Sequence, residues 1–203
     1  MVKDKLEEYK RKRDFAKTSE PSDEAVEFEW AEGRPIFVIQ KHQATNLHYD
    51  FRIDVDGVLK SWAVPKGPST DPSVKRLAVT TEDHPLGYAG FEGVIPEDEY
   101  GGGTVMVWDR GTYRNLEEDE SETPPSAREQ IEDGHVTIWL EGKKLRGGFT
   151  LILTGKREKA RWLLIKIVDD EADARRNPTS TEVKSIISGR TLDEIHDAAR
   201  RES

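Results

Sequence analysis

Cysteine is absent from this 203-residue chain. A disulfide framework and a thiolate metal site are thereby excluded, and a reducing compartment fits. Long apolar runs are missing too, and the N-terminal MVKDKLEEYKRKRDF lacks the apolar centre of a signal peptide. A soluble, cytoplasmic protein with no membrane partner is therefore expected. Hydrophobic residues are scarce, at 34% beside 35% charged, so part of the length should lie in solvated loop or tail. What remains suffices for one substantial domain over residues 1–203. Histidine is scarce as well: there are five, and two stand in KHQATNLHYDFRID at 41–54.

The net charge of −9 is unevenly spread. Residues 117–133, EEDESETPPSAREQIED, hold eight acids against Arg128, whereas residues 143–166 hold eight bases against Glu158. A basic strip of this kind can serve phosphate on an otherwise acidic chain, or be no more than a solvated strand edge.

Residues 2–18 have helical composition until TSEPSDE interrupts them, so 1–33 reads as a helical or extended N-terminal segment. From Ile36 the pattern becomes β: IFVIQK, LHYDFRID, VLKSWAV, RLAVTT, TVMVWD, GTYR, HVTIWL, KLRGGFTLILT and RWLLIKIV. DVDG between two of these is a hairpin signal. Short strands separated by Gly and Pro predict a mainly β chain folded as an antiparallel barrel or sandwich with short flanking helices. The acidic segment 117–133 reads as an excursion with a short helix at SAREQIED. The polar stretch 169–203 is expected to end in a short helix that Thr191 and Glu194 open as a capping box.

In LHYDFRID, Leu47, Tyr49, Phe51 and Ile53 share one face of a strand, while His48, Asp50, Arg52 and Asp54 share the other. Same-face neighbours lie about 6.5–7 Å apart along the strand, so His48 and Asp50 can converge on one cation. His42 arrives across a short turn. Two imidazoles and a carboxylate suit a first-row divalent ion and leave positions open for substrate. Arg52, next on that face, can clamp a phosphate or carboxylate. The alternative is the wet side of a half-exposed strand, although such strands usually carry Lys, Thr, Glu and Ser. His84 and Tyr88, in the glycine-rich TEDHPLGYAGFEG, are candidates for the same pocket. The GGG run at 101–103 reads as a tight turn rather than a phosphate cradle, and the five tryptophans as core.

The segments KRDFAKTSEP, FVIQKHQATNLHYDFRI, LKSWAVPKGPS, TEDHPLGYAGFEGVIP, YGGGTVMVWDRGTY, LRGGFTLILT, RWLLIK and SGRTLDEI together resemble the 3′-phosphoesterase module of bacterial DNA ligase D and its stand-alone relatives. The resemblance covers nearly the whole chain. It implies a compact barrel of about eight strands with a groove for one divalent ion, most often Mn²⁺, with Zn²⁺ or Co²⁺ as alternatives. It implies an enzyme that releases a terminal ribonucleoside from a 3′ end and then removes the remaining 3′-phosphate. By motif, His42, His48 and Asp50 become the metal ligands, and Arg52, His84 and Tyr88 line the scissile phosphate. Arg13, Asp14 and Glu20 match a segment that contributes to activity, and Lys66 and Arg76 match basic positions that contact phosphate. The implied partners are DNA or RNA–DNA primer–template 3′ ends in strand-break repair, and a separate ligase or polymerase. A monomer is the default.

The chemistry of the residues agrees with this picture. A metal, Arg52 and a protonated His84 would stabilise the charge that gathers on a reacting phosphate, and His84 could protonate the leaving oxygen. The 2′-hydroxyl of a ribonucleotide gives such a site a handle that DNA lacks. Two other classes fit the same residues less completely. An Fe(II)/2-oxoglutarate oxygenase could use His48 and Asp50 with His135 as third ligand, leaving His42 idle. A non-catalytic end-binding module would tolerate loss of His48 or Asp50.

Overall fold

The apolar run IFVI at 36–39 cannot be explained by one buried face, because neighbouring strand residues point in opposite directions. In the computed structural model, which describes residues 5–22, 26–119, 124–155 and 161–202, both faces of this strand are buried. Strand β1 (Ile36–Gln43) is followed by β2 (Leu47–Val55), β3 (Val58–Val64), β4 (Lys75–Thr80), β5 (His84–Pro85), β6 (Gly93–Ile95), β7 (Gly103–Asn115), β8 (His135–Gly142), β9 (Arg146–Thr154) and β10 (Arg161–Lys166). Eight of them run in the order β1-β2-β3-β4-β10-β9-β8-β7, and an antiparallel β7–β1 pairing closes the ring. That closure decides for the barrel over the sandwich and removes the exposed edges an open sheet would carry. β5 hangs on β3, and β6 on β7.

Two cores result. Phe37, Ile39, Phe51, Ile53, Trp62, Trp108 and Phe149 fill the inside of the barrel. Ile36, Val38, Leu59, Val105 and Val107, on the opposite faces of the same strands, form a second core with Tyr9, Tyr88 and Phe91. The N-terminal segment and the 84–95 stretch therefore lie over the outside of β1, β2, β3 and β7. The polar row of β2 is consequently not a wet face: Asp50 and Arg52 are 5% and 3% exposed.

Several local readings hold and others change. The Asp56-Gly57 turn joins β2 to β3 with both residues at positive φ, +53° and +81°. Helix α1 spans only Glu7–Arg11, shorter than the 2–18 composition predicts, because the chain folds back over Asp14, with the Lys17 and Thr18 amides donating to the Asp14 carbonyl. Helix α2 (Ala127–Asp133) carries a full capping box between Ser126 and Glu129. A short α3 (Pro178–Thr181) precedes α4 (Leu192–Glu202), which Thr191 and Glu194 cap reciprocally. TVMVWD and GTYR are one continuous strand rather than two. Gly111 makes this possible: a Cβ there would stand 2.1 Å from the Glu141 carbonyl oxygen of β8. GGG is a turn, closed by Gly102 N–H donating to the Glu99 carbonyl at 3.0 Å. Trp62, Trp108 and Trp162 are buried, whereas Trp30 and Trp139 are half-buried.

The polar segment after β10 docks rather than trailing free. Trp108 Nε1 donates to the Glu182 carbonyl at 2.6 Å, and the Tyr49 hydroxyl donates to the Thr179 carbonyl at 3.1 Å. Two bases of the 143–166 strip are spent on this architecture: Lys144 donates to the Glu182 and Lys184 carbonyls, and Lys166 is buried against Asp169. Residues 156–160 of that strip lie outside the described residues. Among the described residues, no helix is long and apolar enough to cross a membrane.

Asp109, fully buried on β7, accepts from the backbone N–H groups of Lys143, Lys144 and Leu145 at 3.0, 3.1 and 2.8 Å and so fixes the β8–β9 turn. Asp109→Ala leaves these donors without an acceptor, at about 1–3 kcal/mol each when buried. A total loss of about 3 kcal/mol is expected, read as a lower urea midpoint at unchanged slope.

Candidate active site

β1 and β2 pair so that His42 stands opposite His48 and Gln40 opposite Asp50. Because opposite residues share a face, all of these side chains rise from the outer surface of the barrel together with Arg52. His42 Nδ1 lies 3.6 Å from Asp50 Oδ2, and His48 Nε2 lies 3.7 Å from Asp50 Oδ1. One ligand atom from each residue falls within 4.8 Å of the other two, and His42, His48 and Asp50 are the one such group among the described residues.

The donor set fits a divalent ion. His48 Nδ1 sits 2.9 Å from the Asn46 carbonyl, which can only accept, so Nδ1 carries the proton and Nε2 is left as the lone-pair nitrogen facing Asp50. His42 Nε2 is buried without a hydrogen-bond partner, an orphan that a bound cation would satisfy. His135, the third ligand an oxygenase would need, is on β8 beside Glu117, 3.3 Å away, and does not join the group.

Around this centre lies a network of buried charge. Arg52 donates through Nε to Gln40 Oε1 at 2.9 Å and through Nη1 to Ser61 Oγ at 2.8 Å, while Nη2 lies 3.2 Å from Asp50 Oδ2. Each of its three nitrogens has a partner, so Arg52 offers an approaching phosphate chiefly its charge. Arg13 donates through Nε to Glu20 at 2.8 Å and through Nη1 to Glu82 at 3.1 Å. Tyr88 gives its hydroxyl to Glu20 at 2.9 Å instead of turning it toward the metal ligands. Glu82 also receives Lys12 Nζ at 3.2 Å.

His84 is held between the two guanidiniums, with Nδ1 2.9 Å from Arg52 Nη1 and Nε2 3.3 Å from Arg13 Nη2. It is not in a loop: it opens β5 opposite Leu59 and is 3% exposed. Burial first, then Arg52 and Arg13, push its pKa well below the ordinary imidazole value. His84 in the free protein is therefore neutral, in contrast to the protonated acid expected from its type alone. Burial opposes ionisation of Asp50, but the Arg52 guanidinium, foremost among the groups around it, helps hold the carboxyl below its usual range.

The cavity over these groups has a volume of about 310 Å³ and is lined by Arg13, His42, His48, Asp50, Arg52, Glu82, His84 and Tyr88, with Tyr100 at its edge. Other candidates stand elsewhere. Glu20 supports Arg13 and Tyr88 from behind. The Asp14 side chain is half-exposed, accepting from the Ala16 amide at 3.1 Å on the turn whose Lys17 pairs with Glu99. Lys66 is exposed just past β3, and Arg76 is half-buried on β4; neither lines the cavity.

Gln40 and Glu82 escaped the sequence reading. Gln40, fully buried, also donates to the Tyr88 and Phe91 carbonyls at 3.0 and 2.9 Å, tying the barrel to the 84–95 cover. Gln40 had a signal, since it lies two residues before His42 and hence on the same face of β1, whereas Glu82 stands in irregular chain between β4 and β5, where no strand period applies.

Glu82 sets an acid limit on the network. Burial raises its pKa, but its own backbone N–H, Arg13 and Lys12 bring it below the ordinary 4.5. A depressed folded-state pKa means a stabilisation fully present above 4.5 and lost as pH falls through the folded value. Glu82→Gln is expected to flatten the dependence of stability on pH in that acid window, measured by urea unfolding at successive pH values.

Residues 40–153 match the DNA Ligase D 3′-phosphoesterase domain family. The chain is 48% identical over 190 residues to the multifunctional non-homologous end joining protein LigD of Pseudomonas aeruginosa, covering 92% of this chain and 22% of that protein. It is 45% identical over 163 residues to the multifunctional non-homologous end joining DNA repair protein LigD of Mycobacterium tuberculosis, covering 80% of this chain and 20% of that one. A LigD of Mycolicibacterium smegmatis is 40% identical over 172 residues. The chain thus spans about a fifth of the length of these relatives. By the match to its sequence, the chain belongs to the DNA ligase D 3′-phosphoesterase domain family.

Proposed function

We propose that this chain is a divalent-metal-dependent hydrolase that heals 3′ ends of DNA or RNA–DNA primer–templates during end joining, as one module over residues 1–203. It releases a terminal ribonucleoside and then removes the remaining 3′-phosphate. The observation that carries this reading is the convergence of His42, His48 and Asp50 within 4.8 Å on one face of the β1–β2 pair, flanked by two buried guanidiniums.

His42, His48 and Asp50 hold the ion, with Mn²⁺ proposed first and Zn²⁺ or Co²⁺ as alternatives. When bound, the ion supplies Lewis-acid stabilisation of negative charge on the phosphate oxygens. Arg52 and Arg13, whose side chains are buried, add fixed positive charge that counts for more than it would in bulk water. His84 presents a neutral imidazole to the cavity, and it becomes a general acid only once the anionic phosphate offsets the two guanidiniums. Tyr88, Glu20 and Gln40 are positioning residues: they fix Arg13, Arg52 and the cover over them. Asp14, Lys66 and Arg76, all outside the cavity lining, are proposed to meet the strand away from the reacting phosphate. The reading places the protein in the cytoplasm, as a monomer, with a ligase or polymerase activity of the same repair pathway acting on its product.

A labelled primer bearing a 3′-terminal ribonucleotide is expected to give a 3′-phosphate and then a 3′-hydroxyl product with Mn²⁺, and neither with EDTA. Product formation that persists in EDTA would contradict the metal centre.

A further inference from the structure

The cavity that gathers the metal-ligand group shares two of its walls, Ala44 and Ile95, with a second hollow of about 520 Å³. This neighbour is bounded by the β1–β2 turn, β6, the start of β7 and the first turn of α4. Nothing assigned so far uses it, although its size lies within the range of small-molecule sites.

Its lining is informative. Val94, Ile95 and Leu192 supply apolar wall, and Glu97, Asp193 and His196 supply polar tips, with no Lys or Arg among the lining residues. His196 Nδ1 lies 3.2 Å from Thr104 Oγ1, which fixes the ring across to β7. The floor also holds Gly103, at φ +139°, where a Cβ would lie 2.2 Å from the Gln43 carbonyl oxygen, so no side chain can fill that corner.

No lining residue is a cation, and Lys41, outside the lining, already interacts with Asp193, so a strand continuing through this hollow would set a largely uncompensated further phosphate against Glu97 and Asp193. A terminal nucleoside brings none. It offers an apolar base face to Val94, Ile95 and Leu192, and sugar hydroxyls that donate to the two carboxylates.

We propose that this hollow is the subsite for the leaving nucleoside, the one on the 5′-oxygen side of the scissile phosphate. The proposal rests on the end-healing reading and adds where its first product sits. In that step the P–O5′ bond breaks, the hydroxyl of water stays on phosphorus and a proton of the water ends on the 5′-oxygen. The nucleoside then departs uncharged. The second step, removal of a 3′-phosphate, has no group to place there.

The test compares two rates in each variant: nucleoside release from a primer with a 3′-terminal ribonucleotide, and phosphate release from the matching 3′-phosphate primer. Leu192→Trp fills the hollow, and Asp193→Asn, at an exposed position, removes one carboxylate charge with little risk to folding. The ratio of nucleoside release to phosphate release is expected to fall about tenfold or more in Leu192→Trp, with KM for the nucleoside-bearing primer raised, and by a smaller factor in Asp193→Asn. An unchanged ratio in both variants, whether both rates hold or both fall together, would overturn the subsite. A parent protein that performs neither step would instead remove the end-healing reading itself.

Discussion

Asp50→Ala is expected to abolish both 3′-end activities and to lower Mn²⁺ affinity by at least about a hundredfold, since even an outer-sphere partner of a metal ligand is commonly worth 10–100-fold. Asp50 is the one carboxylate in the group and lies between both imidazoles, so its loss removes a ligand and the anionic charge together. Asp50→Asn keeps the shape and loses only the charge. It should retain the fold and still fail to bind the ion, which separates ligation from packing. His42→Ala and His48→Ala should lose affinity with the charge balance intact. Isothermal titration of metal-free protein with Mn²⁺, beside the product ladder, reads both quantities. Unaltered affinity in Asp50→Asn would refute the ligand assignment.

Arg13→Ala is the second large effect, and it is first an effect on stability. The Arg13, Glu20 and Glu82 side chains are 4%, 0% and 3% exposed, and Arg13 bridges the two carboxylates. Removing one partner from a buried ion pair typically costs about 3–5 kcal/mol, because the charges left behind are neither paired nor solvated. Glu82 keeps Lys12, whereas among the described residues Glu20 keeps the Tyr88 and Thr18 hydroxyls. Arg13→Lys should rescue little, since a single ammonium cannot reproduce a fork that meets Glu20, Glu82 and His84 at once. Thermal unfolding should show a marked drop for both variants. A melting temperature close to that of the parent would mean the network is not cooperative. Asp14→Ala, one residue along and half-exposed, should alter stability by no more than about 0.5 kcal/mol.

The contrast between Arg13 and Asp14 shows where sequence reasoning stops. Adjacent in KRDFAKTSEP, they matched the same motif, yet one is buried under the cover and the other faces outward. No local rule separates them, because α1 ends at Arg11 and the turn after it has no simple period. Lys144 and Lys166 make the same point for charge: both belong to the basic strip in the sequence, and both are buried in structural bonds in the fold. Gln40, by contrast, was legible, since the two-residue period that selected Asp50 from His48 applies equally to it on β1.

The sequence alone settled what depends on near neighbours. Alternation along β2 put His48, Asp50 and Arg52 on one face, a short turn brought His42 opposite, and the turn and cap signals at Asp56-Gly57, Ser126 and Thr191 marked their elements. Tertiary structure decided what depends on distant ones. The outer face of the barrel became a buried site only because Tyr9, Arg13 and Glu20 fold across it from the N-terminal segment and His84 and Tyr88 close it from beyond β4. Burial beneath that cover is what favours the neutral form of His84 and engages all three nitrogens of Arg52, for desolvation and fixed charge depend on how the chain packs in three dimensions and not on its local period.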